Sequence, residues 1–301
     1  MKAARGRTDQ ATIDRLSAIK AKCKGSLAFS RSRKSAFIPM VTANLLPEQG
    51  LSWYRLSTLL LVEPAEQASG RQQVLLYRTS TKQGNDAKSL SNRIRKLETT
   101  VELPGLQPSV LAPLPTALAV RQTQAFHDQI TAQLGLVPLP RRNPHPLHSK
   151  LINIGVSGQN RSAFIEQFSQ QTGRRVVIYT QALYEIGISV DSLGASLSGV
   201  SAFDYLETIT FIFGITWRED GQVIEITTID ASEGRLEERQ VTLPPVLASD
   251  YGRLLKELVN PDSWEELGGP GCVEDARGNR LRISQTSHTL RAIEQLSANL
   301  R

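Results

Sequence analysis

A duplication constrains this chain more than any other feature. The string Leu118-Ala-Val-Arg-Gln-Thr123, followed by a helical pattern reaching Ile130, recurs 163 residues later as Leu281-Arg-Ile-Ser-Gln-Thr286, followed by a helical pattern reaching Ile293. In each copy two apolar residues alternate as in a strand with one buried face, Gln-Thr turns the chain, and the threonine is placed to cap the next helix. Upstream, Leu90, Ile94 and Leu97 in one copy and Tyr251, Leu254, Leu255 and Leu258 in the other fall on a single helix face, each set followed by a connection rich in glycine or proline. We read two copies of one α/β module, at 37–137 and 238–301. The first is degenerate, with Glu102-Leu-Pro-Gly105 near the place where the second has Asp262-Ser-Trp-Glu265. Repeated small modules present sheet edges and helix faces, which favours ring or side-by-side assembly.

Between the copies lies a stretch with four prolines, Val137-Pro-Leu-Pro-Arg-Arg-Asn-Pro-His-Pro-Leu-His148, which excludes helix and reads as a linker over 138–149. Beyond it Leu151, Ile152, Ile154 and Val156 predict a strand. A helix carrying Phe164, Ile165 and Phe168 follows, ended by Gly173, and then the strand Val176–Tyr179. A short strand near 195–197 precedes a second helix, started by Ser201 with Asp204 and faced by Tyr205, Leu206, Ile209, Ile212 and Phe213 up to Gly214. Thr216–Arg218 and Val223–Ile226, joined through Asp220-Gly221, complete a hairpin. The fold class expected is α+β, small mixed-sheet modules each packed by two helices.

This order, with Ser198-Gly-Val-Ser201 leading into a helix and Gly214-Ile-Thr-Trp217 leaving it, resembles the short N-terminal domain of secretins and TonB-dependent receptors, over about 150–229. The resemblance implies a periplasmic docking module without catalytic residues, contacting partner proteins or neighbouring subunits. The segment Asn260-Pro-Asp-Ser-Trp-Glu-Glu-Leu-Gly-Gly-Pro-Gly271 is similar to a module of envelope-associated proteins of planctomycete-type bacteria, often found beside secretin-like domains. Two readings of it stand. Trp264 packs on the sheet while the glycines take positive φ as the chain turns back, or Trp264, Glu265 and Glu266 form a small partner site. The candidate partner contacts are Trp264, Glu265 and Glu266, with Trp217 of the hairpin.

Charge is unevenly placed. Residues 1–150 hold 22 Lys/Arg against 9 Asp/Glu, and residues 151–301 hold 13 against 20. The basic half either attracts nucleic acid or another anionic polymer or docks on the chain's own acidic half. Ten of its cations lie in residues 1–36, where few large apolar groups occur; a disordered tail with one helix around Ile13–Lys20 is expected. The N-terminus lacks the apolar stretch of a secretory signal, which places the chain in the cytoplasm if this start is the true one, whereas the resemblance implies periplasm or envelope. No apolar run approaches the length of a membrane span.

Catalytic patterns are hard to find, and the chain reads as no enzyme. Gly268-Gly-Pro-Gly271 precedes no helix and lacks the Lys-Ser/Thr of a phosphate loop. Around Gly194-Ala-Ser-Leu-Ser198 the second glycine of a nucleophile elbow comes one residue late, at Gly199. His145 and His148 have imidazoles suited to zinc or copper, but in a proline-rich linker they read as exposed residues. His127 and His288 occupy non-equivalent positions of the two copies, and the two cysteines, Cys23 and Cys272, permit neither a disulfide framework nor a Cys-rich zinc site. No cofactor or metal is expected. The remaining function classes are a scaffold that docks proteins or itself, and a nucleic-acid or anionic-polymer binder using the basic half.

Overall fold

The computed structural model describes residues 71–301 apart from 81–83, 104–105, 141, 156–160, 243–247, 276–279 and 300–301, together with three strands upstream. Those strands, β1 (Leu27–Ser30), β2 (Leu51–Leu56) and β3 (Leu59–Pro64), form an antiparallel sheet in the order β1-β3-β2. A strand thus falls within the segment expected to be a disordered tail; the rest of residues 1–36, with the expected helix around Ile13–Lys20, lies outside the described residues. Strands β2 and β3 likewise pair with β1 and not with the sheet of the first repeat, whose own elements begin at Gln72.

The first copy runs β4 (Gln72–Arg78), α1 (Ala87–Glu98), β5 (Val110–Pro113), β6 (Ala117–Thr123) and α2 (Gln124–Leu134), with sheet order β4-β6-β5. The second runs β12 (Glu237–Thr242), α7 (Ala248–Leu258), β13 (Cys272–Asp275), β14 (Arg280–Gln285) and α8 (Ser287–Ala298), in the same antiparallel arrangement, β12-β14-β13. The α+β class and the βαββα repeat are therefore both present. Asp86 caps α1, accepting from the Ser89 N–H at 2.9 Å, and α1 buries Leu90, Ile94 and Leu97, the face its spacing predicts. Thr123 caps α2 in the first copy. Thr286, expected to do the same in the second, makes no side-chain cap; its hydroxyl turns to Thr289 Oγ1 at 3.2 Å.

A buried glutamine at the end of the central strand holds each copy's loop in place. Gln122 accepts from the Thr123 N–H at 2.7 Å and donates to the Gln107 carbonyl; Gln285 accepts from the Thr286 N–H at 2.7 Å and donates to the Ser263 carbonyl at 2.9 Å. Gly271 belongs to this clamp, because a Cβ there would stand 1.9 Å from Gln285 Nε2. Gly269 is needed for a similar reason, its Cβ falling 2.2 Å from the Ser263 carbonyl carbon. Of the three glycines expected to take positive φ, only Gly268 does, at 87°.

The two copies stack in layers. Leu75, Tyr77, Leu118 and Val120 point from one face of the first sheet onto α1 and α2, forming a core with Leu90, Ile94, Phe126 and Ile130. The alternate residues Leu76, Ala112, Ala117 and Ala119 point the other way and join Leu255, Leu258, Leu290 and Ile293 of α7 and α8, beneath which lie Leu281 and Ile283 of the second sheet. The order is α1/α2, first sheet, α7/α8, second sheet. The first copy thus packs on the second mainly through apolar side chains, assisted by Arg121, which donates to the Glu257 carbonyl at 2.8 Å near the C-terminal end of α7.

Between the copies the chain forms β7 (Leu151–Ile154), α3 (Arg161–Thr172), β8 (Arg175–Ile178), α4 (Thr180–Glu185), β9 (Leu197–Ser201), α5 (Ala202–Phe213), β10 (Ile215–Asp220), β11 (Val223–Thr228) and α6 (Ile229–Glu233). Strands β7 and β9 make a two-stranded antiparallel sheet, while β10, β11 and β8 make a mixed sheet in which β8 runs parallel to β11. Both sheets contribute to one core with Phe164 and Phe168 of α3 and Tyr205, Leu206 and Ile209 of α5. Val156, expected to extend the first strand, lies outside the described residues. The proline-rich stretch does more than connect: Pro146–Ser149 forms a 3₁₀ turn and buries Leu147 in this core.

Candidate functional site

Among the described residues, a cluster of charged groups around the buried Arg291 lies where α8 of the second copy meets the middle module. Ser201 caps α5 by accepting from the Asp204 N–H at 2.9 Å, which fixes the helix so that Asp204 and Glu207 share a side. The adjoining β10 supplies Trp217 and Glu219, and α8 supplies His288 and Arg291. Arg291 donates from Nε to Glu207 Oε1 at 3.0 Å and from Nη1 to the Trp217 carbonyl at 2.7 Å, and its guanidinium lies 4.0 Å above the Trp217 ring. The same Glu207 oxygen accepts the Trp217 indole N–H at 2.8 Å. One side chain of the repeat thereby holds both the helix and the hairpin of its neighbour, and a planar, always-charged fork over an indole suits that task.

Burial alone would push the Glu207 carboxyl up, but the Arg291 guanidinium, with His288 and the indole N–H, outweighs it and holds the carboxyl below its ordinary range. His145 also packs on Trp217, at a steep angle with ring centroids 5.5 Å apart, lies 5.0 Å from the Phe203 ring and places Nε2 3.5 Å from Glu219 Oε2. A hydrogen bond from His145 is the main cause holding the Glu219 carboxyl low, helped by Arg174 at 3.6 Å. His145 is therefore not the exposed linker residue expected from its prolines; with Leu147 it straps the connection onto the middle module. His148 lies 3.9 Å from Asp204.

A cleft of about 630 Å³ opens beside this junction, where all three units meet, with Gln73 and Arg121 from the first copy, Phe203 and Asp204 from the middle module, and Asn260 and Thr289 from the second copy among its lining. Its polar groups hold each other: the Asn260 amide donates to Thr289 Oγ1 at 3.0 Å, and Arg121 Nε donates to Gln72 Oε1 at 2.7 Å. Among the described residues no group of three His, Cys, Asp or Glu is arranged to hold a metal ion, and no helix is long and apolar enough to cross a membrane.

The residues singled out from sequence scatter. Trp264 and Trp217 are each only 1% exposed and are core residues, not surface anchors. Trp264 sits in the layer between the two copies and donates its indole N–H to the Val259 carbonyl at 2.8 Å, so its burial supports the first of the two readings, packing on the sheet. Glu265 and Glu266 are exposed, and Glu266 pairs with Lys256. Ser196, the serine of the near-elbow, is exposed in the irregular stretch that leads into the strand β9 and not into the helix that follows a nucleophile elbow, and Ser198 within β9 donates to Asn153 Oδ1 at 2.5 Å. Sequence reasoning missed Arg291 and Glu207. The available signal was an arginine between Leu290 and Ile293, beside the apolar stripe of a helix that would be expected to face a single core.

No family model matches the chain, and no curated protein matches it.

Proposed function

We propose that this protein is a non-catalytic docking or assembly module of a bacterial envelope or secretion-type system, acting through contacts with protein partners or further copies of itself. The observation that carries the reading is the stacking of the duplicated module, in which α7 and α8 of one copy lie on the open sheet face of the other. A fold that binds a second α/β module through a sheet face is built for docking by shape and apolar contact. The bonds from Arg291 to Glu207 and to the Trp217 carbonyl fit this reading too, since they tie one module to the next. For residues 150–229 the resemblance to the secretin and TonB-receptor domain adds support, as does the placing of two helices with a mixed three-stranded and a two-stranded sheet. Periplasm or envelope is the setting we propose on that resemblance.

The net positive charge of residues 1–150 favours a second reading, a nucleic-acid or anionic-polymer binder with the C-terminal modules as its platform. Size-exclusion chromatography with light scattering on the full chain, at low and high salt and with the absorbance ratio recorded, separates the two. Salt-insensitive oligomers free of nucleic acid are expected. A monomer that retains nucleic acid only at low salt overturns the docking reading.

A further inference from the structure

The outer edge of β7 is closed in an unusual way. Two glutamines one helical turn apart on α3 reach across to it. Gln171 accepts from the Asn153 N–H at 2.8 Å and donates to the Asn153 carbonyl at 2.8 Å; Gln167 accepts from the Gly155 N–H at 2.9 Å and donates to the Gly155 carbonyl at 3.0 Å. Each carboxamide thus pairs donor to acceptor and acceptor to donor with one residue, as a neighbouring strand does at a hydrogen-bonded position. The residues served alternate, 153 and 155, so the two side chains imitate two consecutive rungs of a ladder.

Three observations say what this substitute strand stands in for. Among the described residues the β7–β9 sheet has only two strands, whereas every other sheet has three. Leu151, on the same alternation as 153 and 155, is 70% exposed, an apolar group where an edge strand ordinarily carries charge. The register also closes on itself: two antiparallel copies of β7 meeting across a two-fold axis at Asn153 place each Asn153 N–H and carbonyl opposite the other's, and set Leu151 opposite Gly155, the residue without a side chain to obstruct it. A two-fold at Ile152 or Ile154 would pair only two of the outward-facing residues 151, 153 and 155 with one another; the two-fold at Asn153 uses all three.

We propose that the β7 edge is a self-association site for a second copy of this chain, guarded by Gln167 and Gln171, which must swing away before the two β7 strands pair. This rests on the docking reading above and assigns it a surface. The glutamines compete intramolecularly with the incoming strand, so the parent chain associates weakly at this edge and removing them strengthens the contact. The contact is made by backbone hydrogen bonds and Leu151, and so is insensitive to salt.

Sedimentation velocity on the full chain tests this, comparing the parent, the double variant Gln167→Ala/Gln171→Ala, and that variant with Leu151→Lys added, with circular dichroism as the check on folding. The double variant is expected to show twice the parent's mass and self-association at least about tenfold tighter, an effect of about 1.4 kcal/mol; Leu151→Lys, a charge on the edge, is expected to restore the parent's mass. A folded double variant with the parent's mass overturns the proposal, as does a doubled mass that Leu151→Lys leaves in place. Should the double variant lose its helical signal, Gln171→Ala alone, which frees Asn153, is read instead: a weaker gain in mass is expected, and no gain overturns the proposal. A parent that is monomeric counts against the docking reading alone, because this test reads the change on removing the glutamines.

Discussion

The two copies of the repeat share a topology and differ in what covers their sheets. The central strand of the first, Ala117-Leu-Ala-Val120, is buried on both faces, large residues toward its own helices and alanines toward those of the other copy. The equivalent strand of the second, Arg280-Leu-Arg-Ile283, is buried only where Leu281 and Ile283 face inward; its outer face carries Arg282, paired across the sheet with Glu238 at 3.0 Å and Glu274 at 3.6 Å. Ala119 in one copy stands where Arg282 stands in the other. Small apolar residues let the following helices approach, whereas a cross-strand ion-paired face leaves the stack with nothing to add to it. The same module is thus made internal or terminal by the alternate residues of one strand, the behaviour expected of a repeat and its cap.

The largest effect expected comes from exchanging those residues. Ala119→Arg puts a charge between the first sheet and α7/α8 and should destabilise by about 5 kcal/mol, from overpacking and desolvation together, while Arg282→Ala should change stability by less than about 0.5 kcal/mol because its ion pairs are exposed. Equal denaturant midpoints for the two variants would break the distinction between an internal and a terminal copy.

Arg291 sharpens it further. Its counterpart in the first copy is Asp128, which accepts from Gln124 of its own helix at 3.0 Å, so the two equivalent positions play different parts. Arg291→Ala strands the Glu207 carboxylate in a buried site and should lose about 3 kcal/mol by chemical denaturation. The pH dependence follows from the same pair. Glu207 and Glu219 are held below their ordinary range, so their charged forms stabilise the folded junction at neutral pH. That contribution begins to drain as pH falls below about 4.3, the ordinary glutamate value, and is gone below the depressed native values. Stability measured from pH 6 to pH 3 should fall less steeply in Glu207→Gln than in the parent.

Where the copies agree, equal effects are expected. Gln122→Leu and Gln285→Leu each leave a loop carbonyl and a helix-start N–H without their partner and should each cost about 2 kcal/mol in a thermal or denaturant melt. The smallest contrast is at the helix caps: Thr123→Ala should lose about 1 kcal/mol, and Thr286→Ala less, because only Thr123 accepts from the helix it precedes.

Much of the secondary structure was legible because it depends on near neighbours. The α1 face of Leu90, Ile94 and Leu97, the Ser201 start and Gly214 end of α5, and the Asp220-Gly221 turn of the hairpin are each determined by residues within a turn or two of one another. Helices α4 and α6 passed unnoticed, being only 6 and 5 residues long, too short to establish a period. The junction was legible least of all. Nothing within a few residues of Arg291 announces Glu207, 84 positions away, and the prolines around His145 predict an exposed linker because local rules do not include the Trp217 ring on which it packs.

The sequence by itself determined the module: its repeat, its periodicities and its helix starts and turns, since each is a local requirement of a strand, helix or turn. Only the tertiary structure decided which faces of those modules became interior. That choice depends on what lies opposite, a second copy over Ala119, solvent over Arg282, a tryptophan beneath Arg291, and burial is a property of two surfaces brought together rather than of either alone.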